Sequence, residues 1–247
     1  MANQYLSEEL DAPAIGGTVI VQGPDARHAV TVSRLAVGET VTVGNGAGVT
    51  ASGTVTEVTP PAEFRFTAES VITQQRPHPA LTLVQALAKG GRDEMAVQAA
   101  TELGVDRIIP WSAARSIARW DGDKARKGQQ RWASIVREAT KQSARAWLPE
   151  VDEVVTTKQL AALASSEPGE QLMVVLDPLA EHSLVELDLT SIDLVLVVGP
   201  EGGIAADELS TLLASGAVSA RLGTNVLRTS TAGPAALAVL SAKLGRW

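Results

Sequence analysis

Residues 194–240 read LVLVVGPEGGIAADELSTLLASGAVSARLGTNVLRTSTAGPAALAVL. The run 194–198 is Leu and Val throughout, the pattern of a parallel strand covered on both faces, and it stops at Gly199-Pro200-Glu201-Gly202-Gly203. A helix follows. Asp207 and Glu208 stand in its first turn, where the helix dipole favours acids, Leu209, Leu212 and Leu213 form its apolar stripe, and Gly216 ends it. A second turn, Leu222-Gly223-Thr224-Asn225-Val226-Leu227-Arg228, leads into Thr229-Ser230-Thr231, candidate caps of a helix with Pro234 in its first turn. Two turns at the carboxyl ends of strands make a pocket.

Working outward, the same style holds back to residue 80. The pattern predicts strands at 81–87, 105–109 and 172–176 and helices at 91–103, 129–145 and 158–164. Alternating strands and helices predict an α/β domain with a parallel sheet over 80–247. Residues 1–72 differ: short Val- and Thr-rich runs at 18–21, 40–43, 49–58 and 64–71, separated by turns such as Gly44-Asn45-Gly46, predict a small β-barrel. Between its strands, residues 25–34 can form a short helix that offers Arg27, His28 and Arg34 to a polar surface, or serve as a solvated connection. Gln74-Gln75-Arg76-Pro77-His78-Pro79 holds no apolar residue, so 73–79 is the expected linker.

The 247 residues include no Cys, which excludes disulfides, a thiolate nucleophile and cysteine zinc sites, and three scattered His are thin for metal. No metal is expected. Nor does any apolar run approach the ~20 residues of a membrane span, and the N-terminus lacks the regions of a signal peptide, so a cytosolic protein is expected. The net charge of −7 argues at first against nucleic acid. Its distribution reverses that impression: residues 115–145 carry nine Lys or Arg against three acids, whereas 146–198 carry one Lys against ten acids. The positive charge is one segment.

On the predicted helix 129–145, Arg131, Glu138, Gln142 and Arg145 fall on one side, as a stripe for phosphate or a base edge or as a solvated face. The Gly199–Gly203 turn is neither a dinucleotide fingerprint nor a phosphate-binding P-loop. Its glycines let a ligand lie against bare backbone, whose N–H and C=O groups can read a neutral adenine or ribose. A plain strand-to-helix turn is the other reading. With no Gly-x-Ser-x-Gly elbow and isolated His, nucleophilic catalysis is poorly supported.

Val198-Gly-Pro-Glu-Gly-Gly followed by Leu222-Gly-x-x-Val-Leu-Arg228-Thr resembles the signature of the knotted SPOUT-class methyltransferases, specifically the bacterial ribosomal RNA small subunit methyltransferase E family, which methylates N3 of a uridine in 16S ribosomal RNA. Further blocks stand in the family's order: Lys89-Gly90-x-Arg92, Thr101-Glu-Leu-Gly-Val105, Ile109-Pro110 with Arg115-Ser116, and Glu138-Ala139-x-x-Gln142-Ser143-x-Arg145-x-x-Leu-Pro149. The resemblance implies a PUA-like barrel that helps hold RNA, joined to a catalytic domain whose C-terminal chain is threaded into a trefoil knot. It implies S-adenosylmethionine contacted by Leu176 and the loop after it, by Gly199, Pro200 and Gly203, and by Leu222, Gly223, Val226 and Leu227. It also implies a homodimer acting on the small subunit's RNA, in the assembled 30S particle. The chain departs from the family's pattern at Ser230, where most relatives have Glu, at Ala114, where an acid is usual, and at the N-terminus, which lacks Arg-x-Phe.

The methyl of a sulfonium is already activated, so such an enzyme must align N3 and help uracil lose its N3 proton. Arg228 is the candidate to stabilise the resulting anion. Glu201 either orders the site, accepts the proton or simply fixes the loop at a helix start. Arg115, Gln142 and Arg145 are assigned to RNA or the dimer edge, and Arg27, His28 and Arg34 to RNA on the barrel. The rivals are a SPOUT enzyme acting on another RNA position, a ribosome-assembly factor without catalysis, and a nucleotide-dependent oxidoreductase.

Overall fold

A computed structural model describes residues 4–166, 171–189 and 192–247. The chain divides into two compact units, Met1–Arg76 with Thr140–Leu148, and Pro77–Ala139 with Pro149–Trp247.

The first unit contains β1 (Gln4–Leu6), β2 (Thr18–Gln22), α1 (Pro24–Thr31), β3 (Thr40–Gly44), β4 (Val49–Thr59) and β5 (Glu63–Thr73). They form one sheet ordered β1-β3-β4-β5-β2, in which β1 runs parallel to β3 and the other pairs are antiparallel. Alternate residues point inward, so Val19, Val21, Val41, Val43, Phe64 and Phe66 meet Tyr5 and the α1 residues Ala26 and Ala29 in one core. Bulges at Ser52/Gly53 and Val55/Glu57 bend β4 against β5. At Gly53 a Cβ would lie 1.8 Å from the Thr67 carbonyl oxygen, so only glycine fits. Helix α1 ends at Thr31, and Arg34 lies beyond it with φ 55° rather than on the helix expected to reach it.

Residues Thr140–Leu148 return to this unit, a segment that the contiguous boundaries 1–72 and 80–247 assign elsewhere. Lys141 forms a buried ion pair with Asp25 (3.2 Å), whose other oxygen accepts the Leu6 N–H. Gly48 N–H donates to the Ala146 carbonyl and Leu148 N–H to that of Gly46. The helix expected at 129–145 is α3 (Asp123–Gln142). Ala144 takes φ 53°, Ala144 N–H donates to the Lys141 carbonyl and Arg145 N–H to that of Thr140, the bonding pattern that closes helices at a left-handed residue. Arg145 therefore lies past the helix and is not part of a helical stripe.

The second unit contains β6 (Leu81–Ala86), α2 (Arg92–Glu102), β7 (Arg107–Trp111), most of α3, β8 (Glu150–Val151), α4 (Thr157–Ser166), β9 (Gln171–Leu176), β10 (Asp193–Val198), α5 (Ala206–Ala214), β11 (Val218–Ala220) and α6 (Thr229–Lys243). Its six strands are all parallel, in the order β11-β9-β10-β6-β7-β8. The short strands β1, β8 and β11 were not expected from the sequence. Strand β10 pairs on both sides, and its last five residues are all buried, which is why its sequence is continuously apolar rather than alternating. Helix α6 starts at Thr229 with Arg228 at the N-cap and no side-chain cap bond. The residues expected to cap it thus begin the helix instead, and Pro234 lies inside it rather than in its first turn.

The C-terminus is clamped by charge. The Arg246 guanidinium donates to both carboxylate oxygens of Asp106 and to the carbonyls of Gly104 and Pro79, and both side chains of the pair are only 6% exposed. Asp106 also accepts the Leu81 N–H at the start of β6. Replacing Arg246 with Met leaves a buried carboxylate without its cation, and urea unfolding is expected to show a loss of about 3–5 kcal/mol. A loss under ~1 kcal/mol, the range of an exposed pair, would show that the clamp carries no weight.

Candidate active site

Strands β9, β10 and β11 end nearly level because their registers pair Leu176 with Ala220 and Val197 with Val175. The segments that follow them therefore emerge at one edge of the sheet. They enclose a cavity of about 620 Å³, lined by residues 176–179, by 198–201, 203, 204 and 209, and by 222, 223, 225–229 and 232, with Arg92 and Arg115 completing the wall. All eight residues assigned to a cofactor lie on it: Leu176, Gly199, Pro200, Gly203, Leu222, Gly223, Val226 and Leu227. Glu201 and Arg228, the two catalytic candidates, lie on it too, as does Arg115. Gln142 and Arg145 do not line it and belong to the first unit, where Arg27, His28 and Arg34 are exposed.

Long-range contacts hold each segment in place. Arg221 fixes the loop after β9: its guanidinium donates to the Ala180 carbonyl at 2.8 Å and to that of Glu181, and its N–H donates to the His182 carbonyl. The glycine turn is tight at both ends. A Cβ on Gly199 would sit 2.7 Å from Ile204 Cγ1, and Gly203 has φ 71°, a left-handed conformation that favours glycine. Glu208, buried in the first turn of α5, accepts from Ala114 N–H (2.9 Å) and Thr157 Oγ1 (2.6 Å), and so anchors the loop that carries Arg115. Arg115 Nη1 in turn donates to the Gly202 carbonyl at 3.1 Å.

Glu201 bridges two loops. It accepts from Arg92 Nη1 (2.8 Å) and from Lys89 N–H (3.3 Å). Partial burial pushes its carboxyl up, but its own N–H, the Arg92 guanidinium and the Lys89 N–H outweigh that and hold it below the ordinary glutamate value. Asp93 supports the same loop by accepting the Ala88 N–H, and there burial prevails over the N–H donors and raises the carboxyl. Arg92 and Arg115 are thus both tied to protein groups. The Arg228 side chain has no hydrogen-bond or ion-pair partner among the described residues, so its guanidinium is free at the cavity wall. The described residues hold no group of His, Asp and Glu that could bind a metal ion, and no helix among them is long and apolar enough to cross a membrane.

Residues 75–241 match the model of an RNA methyltransferase domain, and residues 21–62 that of an RNA methyltransferase PUA domain. The chain is 40% identical over 237 residues to the ribosomal RNA small subunit methyltransferase E of Mycobacterium bovis, with 95% of this chain and 90% of that one covered. It belongs to the ribosomal RNA small subunit methyltransferase E family. The resemblance read from the sequence is therefore correct. The crystal structure of the family member from Neisseria gonorrhoeae, bound to S-adenosyl methionine, superposes with a TM-score of 0.86 at 26% identity, over 99% of this chain and 98% of that one. A Legionella pneumophila structure with bound SAM gives 0.87 at 30% identity over 98% of each chain.

Within this family frame, sequence reasoning included Asp177 only as part of the loop after Leu176, read Thr229 only as a helix cap, missed the tethers Arg221, Glu208 and Gln85, and assigned no role to Arg92. Arg92 sits in the quoted block Lys89-Gly90-x-Arg92, which was the one available signal. Replacing Arg92 with Ala removes the cation beside Glu201, so the Glu201 carboxyl is expected to titrate at a higher pH, nearer the ordinary glutamate value, in a carboxyl-carbon NMR titration. An unmoved midpoint would mean that Arg92 does not hold the carboxylate.

Proposed function

We propose that the chain transfers a methyl group from S-adenosylmethionine to N3 of a uridine in small-subunit ribosomal RNA, in the cytosol, as a homodimer acting on the assembled 30S subunit, with its C-terminal chain threaded as a trefoil knot. The observation that carries this reading is the free Arg228 guanidinium on a cavity whose wall holds every residue assigned to the cofactor. The cavity suits the cofactor. Its volume lies in the range of roughly 300–1,000 Å³ typical of small-molecule sites. Apolar Leu176, Val226 and Leu227 offer faces for an adenine, and the carboxylates of Asp177 and Glu201 favour a cationic molecule. When bound, S-adenosylmethionine supplies an activated methyl on a sulfonium.

The chain's own residues do the rest. Arg228 places positive charge beside the uracil as its N3 proton leaves and stabilises the anion through O2 or O4. A guanidinium cannot take that proton. Glu201, already holding Arg92 and the Lys89 N–H, orders the turn. Its lowered pKa makes it a poor proton acceptor. The exposed side chains of Arg27, His28 and Arg34 have no partner among the described residues and are assigned to RNA, which such cations bind through phosphate. Gln142 and Arg145, in the return segment, keep their assignment to RNA or the dimer edge. Support for a partner subunit comes from Leu179 and Val226, 90% and 79% exposed on the cavity wall.

Gly223 offers a clean test of the cofactor, because a Cβ there meets no atom within 4 Å and its φ is not left-handed, unlike Gly203. Calorimetry is expected to show S-adenosylhomocysteine binding to the wild type and at least a ~10-fold loss in Gly223→Val, whose side chain occupies cavity space. No binding to the wild type overturns the enzyme reading and leaves an RNA-binding factor. Arg228→Ala is expected to retain cofactor affinity and lose about 10²–10³ in methyl transfer to assembled small subunits. Transfer at the wild-type rate would refute its role.

A further inference from the structure

Gln85 is the one polar side chain that strand β6 carries into full burial, among Leu81, Leu83, Val84 and Ala86. A primary amide in such a place is costly unless its groups are used. Its Nε2 donates to the Ala86 carbonyl (3.1 Å) and to Thr229 Oγ1 (2.9 Å), and Thr229 Oγ1 lies 2.7 Å from the Gly199 carbonyl oxygen. The direction of the chain is forced. A carbonyl only accepts, so the Thr229 hydroxyl proton goes to Gly199, the hydroxyl lone pair takes the Gln85 N–H, and Oε1 is left buried without a donor among the described residues.

Thr229 is itself 5% exposed and immediately follows Arg228. The Arg228 carbonyl accepts the N–H groups of Thr231 and Ala232, which makes it the N-cap of α6. Gly199 precedes Pro200, so a grip on its carbonyl sets the plane of the first peptide of the glycine turn. One buried relay therefore joins strand β6, the first cofactor turn and the start of α6, across 144 residues between Gln85 and Thr229.

We propose that Gln85 and Thr229 are positioning residues of the active site. They hold the Gly199 turn and the backbone of Arg228 at a fixed separation, while the Arg228 side chain stays free to follow the substrate. This inference rests on the S-adenosylmethionine reading above. The hydroxyl at the start of α6 serves no helix cap: Arg228 holds the N-cap position, and the Thr229 oxygen accepts from Gln85 while its proton goes to Gly199.

The test compares Thr229→Val, which keeps the shape and removes the hydroxyl, with Thr229→Ser, which keeps the hydroxyl. S-adenosylhomocysteine affinity is measured by calorimetry, and amide hydrogen exchange is measured in the cofactor-free protein. Thr229→Val is expected to weaken binding about 10-fold or more and to speed exchange in 201–204 and 228–232 but not in α2, with Thr229→Ser within about two-fold of the wild type. Gln85→Met, which leaves the Thr229 to Gly199 bond in place, should show the same effects at smaller size and serves if Thr229→Val fails to fold. Wild-type affinity and exchange in a folded Thr229→Val or Gln85→Met, or a Thr229→Ser as weak as Thr229→Val, would overturn the relay. Failure of the wild type itself to bind would instead overturn the cofactor reading.

Discussion

The second unit depends on the double pairing of β10. With β9 on one side and β6 on the other, and apolar side chains buried on both faces, the last five residues of the strand have no surface on which to place a polar group. Polar chemistry must wait for the edge. Parallel neighbours bring all their carboxyl ends to that same edge, and the registers of β9, β10 and β11 bring them there within about a residue of one another. Three chain segments that are far apart in sequence then become the walls of one cavity.

Parallel pairing decides which segments meet, and side chains decide how they are held. Arg221, Glu208, Glu201 with Arg92, and Thr229 with Gln85 each fasten a loop to a neighbour through a hydrogen bond that spans the sheet edge. The arginines divide by the same logic. Arg92 and Arg115 each donate to a protein oxygen and so work as struts, whereas the Arg228 side chain has no partner among the described residues. The role proposed for Arg228 calls for a cation whose donors are uncommitted and whose backbone is fixed, and Arg228 alone among the three combines these.

What was legible in the sequence follows from this division. Strands β6, β9 and β10 and helix α2 could be placed closely because periodicity and glycine stops are local, and the two turns stood out because glycine is needed where backbone approaches backbone or a ligand. The tethers left no local trace. A Gln inside LTLVQA and a Thr after Leu227-Arg228 look unremarkable until a fold joins them. The hydroxyls at 229–231 were read as caps because a cap is the nearest use for a hydroxyl at a helix start, yet the Thr229 hydroxyl accepts from Gln85 and donates to a carbonyl 30 residues away. The end of α3 was misplaced for a related reason: the left-handed residue that stops it is Ala144, where Gly or Asn is the usual signal. The return of Thr140–Leu148 to the first unit likewise rests on a Lys141 to Asp25 pair separated by 116 residues.

Charge also reads differently once the partners are known. The excess of cations over residues 115–145 is a formal count, and the fold uses up part of it: Arg131 is bidentate to Glu94, Arg126 pairs with Asp123, and Arg119 donates to the carbonyls of Ala113 and Ala114. What remains for a polyanion on α3 includes the exposed Lys124 and Lys127, whose side chains have no partner among the described residues. In cellular salt a charge is felt over about 8 Å, so an RNA phosphate responds to such local free cations and not to the protein's total of −7. An acidic chain can therefore bind RNA wherever its fold leaves cations unspent, and the sequence count is only the upper bound on how many those are.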